Sequence, residues 1–379
     1  MIYLDNAATT PVRPEALQAA WPWLTSEFGN PSSTHELGHR ASGALSNARA
    51  TVATWLDCRP SEVVFTSGGT EGDNIAILGL ALANPRGRHI VSAHTEHEAV
   101  LASIDALVRL HNFEVSWLPV SSSGEVTLAD VNAALRPGTT LVTLMLANNE
   151  IGTIHPIAAI AELAHAVGAL MHTDVVQAAG WLDVRVTTLG VDALTLSGHK
   201  LGAPKGSGAV YLRGRLAVEP LLHGGGQEFD RRSGTENVAW AVALATAISL
   251  LDDPAQEGPR VAQLRDIFIT SVQSAIDRAQ LTGPQLTRHP AIASFTFAGL
   301  NGETLLLELE ERNVIVSSGS ACAAGKTDPS HVLLAVGIDP EVAQTSVRFS
   351  FSHETTAEEL TRAVAALTEA VASVTALAG

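Results

Sequence analysis

ALMHTDVVQAAGWLDVRVTTLGVDALTLSGHK, residues 169–200, is the stretch from which the fold is read. It contains two short apolar runs, 170–173 and 194–197, and each stops at polar residues: Asp174 in the first case, Ser197-Gly198-His199-Lys200 in the second. Working outward, comparable runs at 63–66, 89–93, 115–120, 141–146 and 209–212 alternate with helical patterns such as 74–83 and 157–167. Continuous apolar strands separated by helices predict a mostly parallel seven-stranded sheet covered on both faces. Ligands in such α/β sheets sit beyond the carboxyl ends of the strands. Polar clusters collect at those ends: Thr66-Ser67-Gly68-Gly69-Thr70, Asn148-Asn149-Glu150, Asp174 and Ser197 to Lys200.

After an apolar helix near 239–251 the texture changes. Runs at 292–297, 314–316 and 346–351 read as short strands, followed by a terminal helix from about Ala357. Thr356 and Glu359 have capping-box spacing, and Leu360, Val364, Leu367, Val371 and Val374 form one apolar stripe. The expected division is a large unit over 16–254 and a smaller α+β unit built from 1–15 and 255–379. No internal repeat or low-complexity linker separates them.

The chain has 379 residues, 46% hydrophobic and 16% charged, with a net charge of −16. That charge argues against nucleic acid or an anionic membrane as partner, because phosphate would be repelled over most of the surface. The N-terminus lacks the basic and apolar regions of a secretory signal, and the longest apolar run is too short to span a bilayer. Two cysteines, Cys58 and Cys322, are too few for a disulfide framework or a thiolate zinc site. The expected setting is soluble, reducing and cytoplasmic. Against 20 arginines stand only three lysines, Lys200, Lys205 and Lys326. Arg cannot form a Schiff base with an aldehyde, whereas a lysine amine of lowered pKa can.

VVFTSGGTEGDN, 63–74, reads as strand, glycine turn and helix, an arrangement that aims backbone N–H groups at one point and suits a phosphate. A plain βα turn capped by Thr70 is the alternative. Asp174 at a strand end needs a cation or donor, and a protonated pyridine nitrogen is one, with Gln177 three residues on in reach of the same ligand. Lys205 is the competing amine, though its neighbours Pro204 and Gly206 suggest an exposed turn. His94 and His97 in HTEHEAV lack the HExxH pattern of a zinc site, and an imidazole there could instead stack on a planar cofactor. In TSVRFSFS, Val347, Phe349 and Phe351 share one strand face and Arg348 takes the other, suited to a carboxylate or to a surface salt bridge. SSGSACAAGK, 317–326, sets Cys322 among residues no larger than serine until Lys326.

In their order along nearly the whole chain, YLDNAATTPV, FGNPSS, VVFTSGGTEGDN, TEHEAV, NNEIG, HTDVVQ, SGHKLGAPKG, HGGGQE, RRSGT, SSGSAC and VRFS resemble the cysteine desulfurases of the NifS/IscS type, within the class V aminotransferase-like enzymes. The resemblance implies the pyridoxal phosphate (PLP) dependent transferase fold type I and removal of sulfur from L-cysteine, leaving alanine and an enzyme persulfide. Lys200 would hold PLP and move the substrate proton. Asp174 would pair with the ring nitrogen, Gln177 with the ring hydroxyl, and His97 would stack on the ring. Gly69, Thr70, Ser197 and His199 would cradle the phosphate, joined by Thr235 from the partner subunit of a homodimer, with Gly198 and Asn149 also among the cofactor-binding residues. Asn149 and Arg348 would hold the substrate carboxylate, and Cys322 would take the sulfur and serve as a transient cluster ligand at most, with no resident metal. The acceptor would be an iron–sulfur scaffold or another sulfur-accepting protein, and the Cys322 loop looks like that of the long-loop group. Two departures stand out: Val175-Val176 in HTDVVQ, and Phe229-Asp230 where the family usually has Arg-Gly. A selenocysteine lyase or class V transaminase, and a non-enzymatic PLP-binding sulfur relay, are the competing expectations.

Overall fold

The computed structural model describes residues 1–84, 86–214, 216–318 and 329–378. Its strands are β1 (Ile2–Tyr3), β2 (Val63–Thr66), β3 (His89–Ala93), β4 (Glu114–Leu118), β5 (Thr139–Thr143), β6 (Leu170–Asp174), β7 (Ala193–Ser197), β8 (Gly208–Leu212), β9 (Ala279–Leu281), β10 (Ile292–Phe297), β11 (Val314–Ile315) and β12 (Val347–Ser350). Seven of them form one sheet in the order β2-β8-β7-β6-β5-β3-β4. The pairs from β4 through β3, β5 and β6 to β7 are parallel, while β8 runs antiparallel to both β7 and β2. The reason lies in the connection. Between β7 and β8 the chain makes only a short turn through 198–207, too brief for the helical crossover that a parallel neighbour requires.

Strands β3, β5, β7 and β8 are buried along their whole length, which is why they read as unbroken apolar runs. β5 ends at Thr143 rather than 146, yet the N–H groups of Leu144 and Leu146 still bond the carbonyls of His172 and Asp174 at 3.2 and 2.9 Å. The apolar run therefore marks the buried path more faithfully than the ladder. The helical path over 69–83 starts earlier than the pattern suggested and widens to π turns at Ile75–Gly79.

A second core lies against the antiparallel sheet β12-β10-β9. Phe268 packs at ring-centroid distances of 4.9, 6.4 and 5.5 Å from Phe349, Phe295 and Phe351. Val347 and Phe349 face this core and Arg348 the other side, as strand alternation requires. β1 and β9, at two and three residues, are too short to carry a readable alternation in the sequence. Ile2 and Leu4 belong to this second core, whereas Ala16 and Ala20 belong to the larger one, so residues 5–13 cross between the two. The terminal helix Ala357–Ala378 opens with the expected box: Thr356 N–H donates to Glu359 Oε2 at 3.0 Å and Glu359 N–H to Thr356 Oγ1 at 3.2 Å. Among the described residues no single helix is long and apolar enough to cross a membrane.

Candidate active site

The carboxyl ends of β2, β6 and β7 meet the N-terminal crossing segment and the strand β12. Gly68, at φ 150°, turns the chain from β2 into the helix at 69–83, and no side chain caps that helix. Thr70 is therefore the helix's second residue rather than its cap, and its carbonyl accepts from Asn74 Nδ2 at 2.8 Å. A Cβ on Gly69 would lie 2.9 Å from Val176 Cγ2 and 4.0 Å from Ser197 Oγ. The turn backbone, Ser197 and Val176 thus form a cradle that closes if Gly69 gains a side chain.

Asp174 ends β6 nearly buried, and its Oδ1 accepts the Val176 N–H at 2.7 Å. Burial pushes its carboxyl above the usual range, opposed by His97 and by the ammonium of Lys200. Lys200 closes the short turn Gly198–Lys200, where Nζ donates to the carbonyls of Ala7 and, at 2.8 Å, Ala8. His97 caps the helix Glu98–His111, its Nδ1 accepting the Ala99 N–H at 3.1 Å. His94 stacks instead on Trp117, ring centroids 4.1 Å apart. Among the described residues no group of three or more His, Cys, Asp or Glu could hold a metal ion.

Gln177 Nε2 donates to Ala7 O at 2.8 Å. His199 Nδ1 lies 3.1 Å from Thr9 Oγ1, and burial pushes its pKa down to about 4. Gly198 N–H donates to Ser207 O at 2.8 Å, which fixes the return into β8. Arg348 is buried, not on the surface: Nη2 pairs with Asp5 Oδ1 at 2.9 Å and Nη1 donates to Asn149 O at 3.1 Å. Its Nε has no hydrogen-bond partner among the described residues, so one donor remains for an incoming carboxylate. Lys205 is exposed. Thr235 is exposed on the loop 222–237, which Arg232 ties to Glu71 at 2.8 Å.

Cys322 lies outside the described residues. On its two flanks Ser317 exchanges backbone bonds with Arg348, and Ser330 donates to Glu150 while capping the helix His331–Ala335. His331 Nε2 donates to Glu96 O at 2.9 Å.

Residues 5–10 carry no local signal of a role in the sequence. Their carbonyls and side chains hold Lys200, Gln177, His199 and Arg348 in place. A cavity of about 620 Å³ runs past Asn6, Ala7, Gln177 and Lys200 to Trp181 and His353. Together these residues fit a planar ligand that carries an aldehyde, a protonated ring nitrogen and an anionic group. The amine of Lys200 would meet the first, the buried carboxylate of Asp174 the second, and the cradle at Gly69 and Ser197 the third.

The family model for class V aminotransferases matches residues 2–363. A cysteine desulfurase IscS of Dictyoglomus turgidum is 44% identical over 95% of this chain and 91% of its own length. A solved structure described as a NifS-like protein superposes with a TM-score of 0.90 at 32% identity, covering 98% of this chain and 99% of that one. Another, SspA in complex with cysteine, reaches a TM-score of 0.82 at 33% identity, over 94% of this chain and 100% of that one. The chain belongs to the class V aminotransferase family, in which it is similar to the NifS/IscS-type cysteine desulfurases.

Proposed function

We propose that the chain is a PLP-dependent cysteine desulfurase, acting as a homodimer in the cytoplasm and passing sulfur to an acceptor protein. The observation that carries this is the placing of Lys200 and His97 so that both act on the buried carboxylate of Asp174, with the Nε of Arg348 left unpartnered among the described residues. PLP supplies an electrophilic aldehyde and an electron sink. The remaining chemistry belongs to the chain. Lys200 Nζ holds the aldehyde and shuttles the substrate Cα proton. Asp174 keeps the ring nitrogen protonated, Gln177 meets the ring hydroxyl and His97 covers the ring. Gly69, Thr70, Ser197, Gly198 and His199 take the phosphate, completed by Thr235 of the second copy. Asn149 and Arg348 orient the cysteine carboxylate.

The sulfur step balances without an outside oxidant. The Cys322 thiolate attacks the substrate sulfur, the C–S bond breaks and an S–S bond forms, and alanine leaves once its Cβ is protonated. The enzyme retains a persulfide. Exposed apolar side chains on the helix Pro14–Leu24 and just beyond it, Leu17, Trp21, Leu24 and Phe28, support a second copy as partner. The division into a unit over 16–254 and one over 1–15 with 255–379 is part of the same reading, as is iron–sulfur cluster assembly as the destination of the sulfur.

Cys322→Ser tests it. The variant should keep the cofactor's colour and the spectral response to cysteine while losing sulfide release under a thiol reductant. Undiminished sulfide turnover would remove Cys322 from its role. Alanine production from cysteine and from selenocysteine, with and without an α-keto acid, separates the desulfurase from a lyase or a transaminase. Colourless protein that cysteine leaves unchanged would favour a non-enzymatic relay.

A further inference from the structure

The sheet face beneath the helical path at 69–83 is polar where a covered sheet is normally apolar. Thr143 of β5, His172 and Asp174 of β6 and Thr195 of β7 are neighbours on it, and Asp73 reaches down from the helix. Gly72 permits that approach, since a Cβ there would sit 2.7 Å from Thr195 Cγ2. Immediately after Asn74 the helix widens to its π turns. His172 Nδ1 lies 2.8 Å from Thr143 Oγ1, and its Nε2 lies 3.1 Å from Thr195 Oγ1 and 3.7 Å from Asp73 Oδ1. Glu96 arrives from the loop after β3, with Oε1 accepting the Met145 N–H at 2.8 Å. Asp73 and Glu96 are 1% and 0% exposed, and Asp73 Oδ1 and Glu96 Oε2 have no hydrogen-bond partner among the described residues.

Charge balance distinguishes the three carboxylates. The ammonium of Lys200 and the ring of His97 both act on Asp174. His172 supplies no positive charge, because burial pushes its pKa down to about 3. Glu150 sits beyond, acted on by His97, His331 and Arg348. Asp73 is influenced by Asp174 and Glu96, with a hydrogen bond from Thr195 opposing them, and Glu96 by Asp174, with the Met145 N–H opposing, so each meets a like charge without a compensating cation among the described residues. Burial drives both far above the usual carboxylate range. Were both ionised, they would raise the proton affinity of Asp174 and deprive a protonated ring nitrogen of its counter-ion.

We propose that Asp73 and Glu96 are positioning residues carried as neutral carboxylic acids, which leaves Asp174 as the one negative charge facing the cofactor's ring nitrogen. The inference rests on the PLP reading of Asp174, and its test separates the two.

Infrared spectra of the cofactor-free protein in heavy water at neutral pH should show carboxylic-acid carbonyl absorption. One component of that absorption should disappear in Asp73→Asn and a different one in Glu96→Gln. In the holoenzyme the pH titration of the cofactor's visible band should move by less than about fivefold in proton affinity in either variant, because each amide replaces a neutral group. Loss of a buried negative charge would move it by about tenfold or more. The proposal is overturned if the wild-type protein lacks carboxylic-acid absorption, if either variant leaves that absorption intact, or if the titration moves by about fivefold or more. Should one variant fail to fold, the other still judges its own carboxyl, and a wild-type spectrum without carboxylic-acid absorption still overturns the proposal. Protein that never takes up colour would instead reject the PLP reading, with the infrared result standing independently.

Discussion

His289 joins the smaller core to the cofactor side of the molecule through one ring. Its Nε2–H donates to Gln177 O at 2.8 Å, so Nδ1 must be the bare nitrogen that accepts the Ala291 N–H at 3.1 Å. A second proton would break the latter bond in a buried place, and burial accordingly pushes the pKa down to about 4 from an ordinary 6.5. The unfolded chain takes its proton near 6.5 and the folded chain only near 4, so this residue's contribution to stability is complete above 6.5 and is lost as pH falls toward 4. Replacing it, as in His289→Leu, removes that dependence. Urea unfolding from pH 7.5 to 4.5 should therefore show the wild-type advantage over the variant shrinking by about 1.4 kcal/mol per pH unit below 6.5. A gap that stays constant across the range would show that His289 is not held neutral.

At the scale of an element, the loop 222–237 is the most strained piece of described backbone. Glu228, Phe229 and Asp230 are three consecutive non-glycine residues at φ 48°, 60° and 64°. Each costs about 1 kcal/mol or more in that region, least for Asp. What offsets the cost is the buried pairing of Glu228 with Arg49, two oxygens on two nitrogens at 2.6 and 2.7 Å, together with Phe65 N–H on Glu228 Oε2 at 2.9 Å. The Arg49 guanidinium also lies 4.8 Å from the Phe65 ring centroid and 5.0 Å from that of Phe229. Glu228→Gln should lower stability by about 3 kcal/mol, since it leaves Arg49 buried and uncompensated. Asp230→Gly should raise it by about 0.5–1 kcal/mol, with glycine entering the left-handed region freely. Thermal unfolding of both variants checks the pair of signs, and a destabilised Asp230→Gly would mean the loop is not under strain. The sequence displayed Phe229-Asp230 as a departure but not the strain, because Arg49 lies 179 residues away from Glu228. The same contrast runs through the site. Asp174 and Lys200 were legible because an apolar run that stops at a polar residue is a local signal. Residues 5–10, His289 and Asp73 were not, since their partners come from distant elements and no local period records them.

At the scale of the whole molecule, Arg348 stands where four remote parts of the chain converge. Its guanidinium holds Asp5 of the N-terminal segment and the carbonyl of Asn149, and its backbone pairs with Ser317, at the near flank of the stretch that carries Cys322. The N-terminal segment it anchors is the one whose carbonyls hold Lys200 and Gln177. The two cores are thus joined by the residues that would meet the two ends of the substrate, its carboxylate at Arg348 and its amine on the Lys200 side. Arg348→Lys separates these duties. A lysine keeps the charge but cannot address Asp5, Asn149 and an incoming carboxylate together, because its ammonium is a point donor without the fork of guanidinium. The cofactor band should persist with affinity changed by less than about threefold, while half-saturation by cysteine rises by about 10- to 100-fold, the loss of one hydrogen bond to a charged group being worth roughly 1.5–3 kcal/mol. Titrating the holoenzyme's spectrum with cysteine measures both quantities in one series. If cysteine saturates the variant at wild-type concentrations, the substrate carboxylate is held elsewhere, and the Asp5–Arg348 pair serves only to fasten the N-terminal segment.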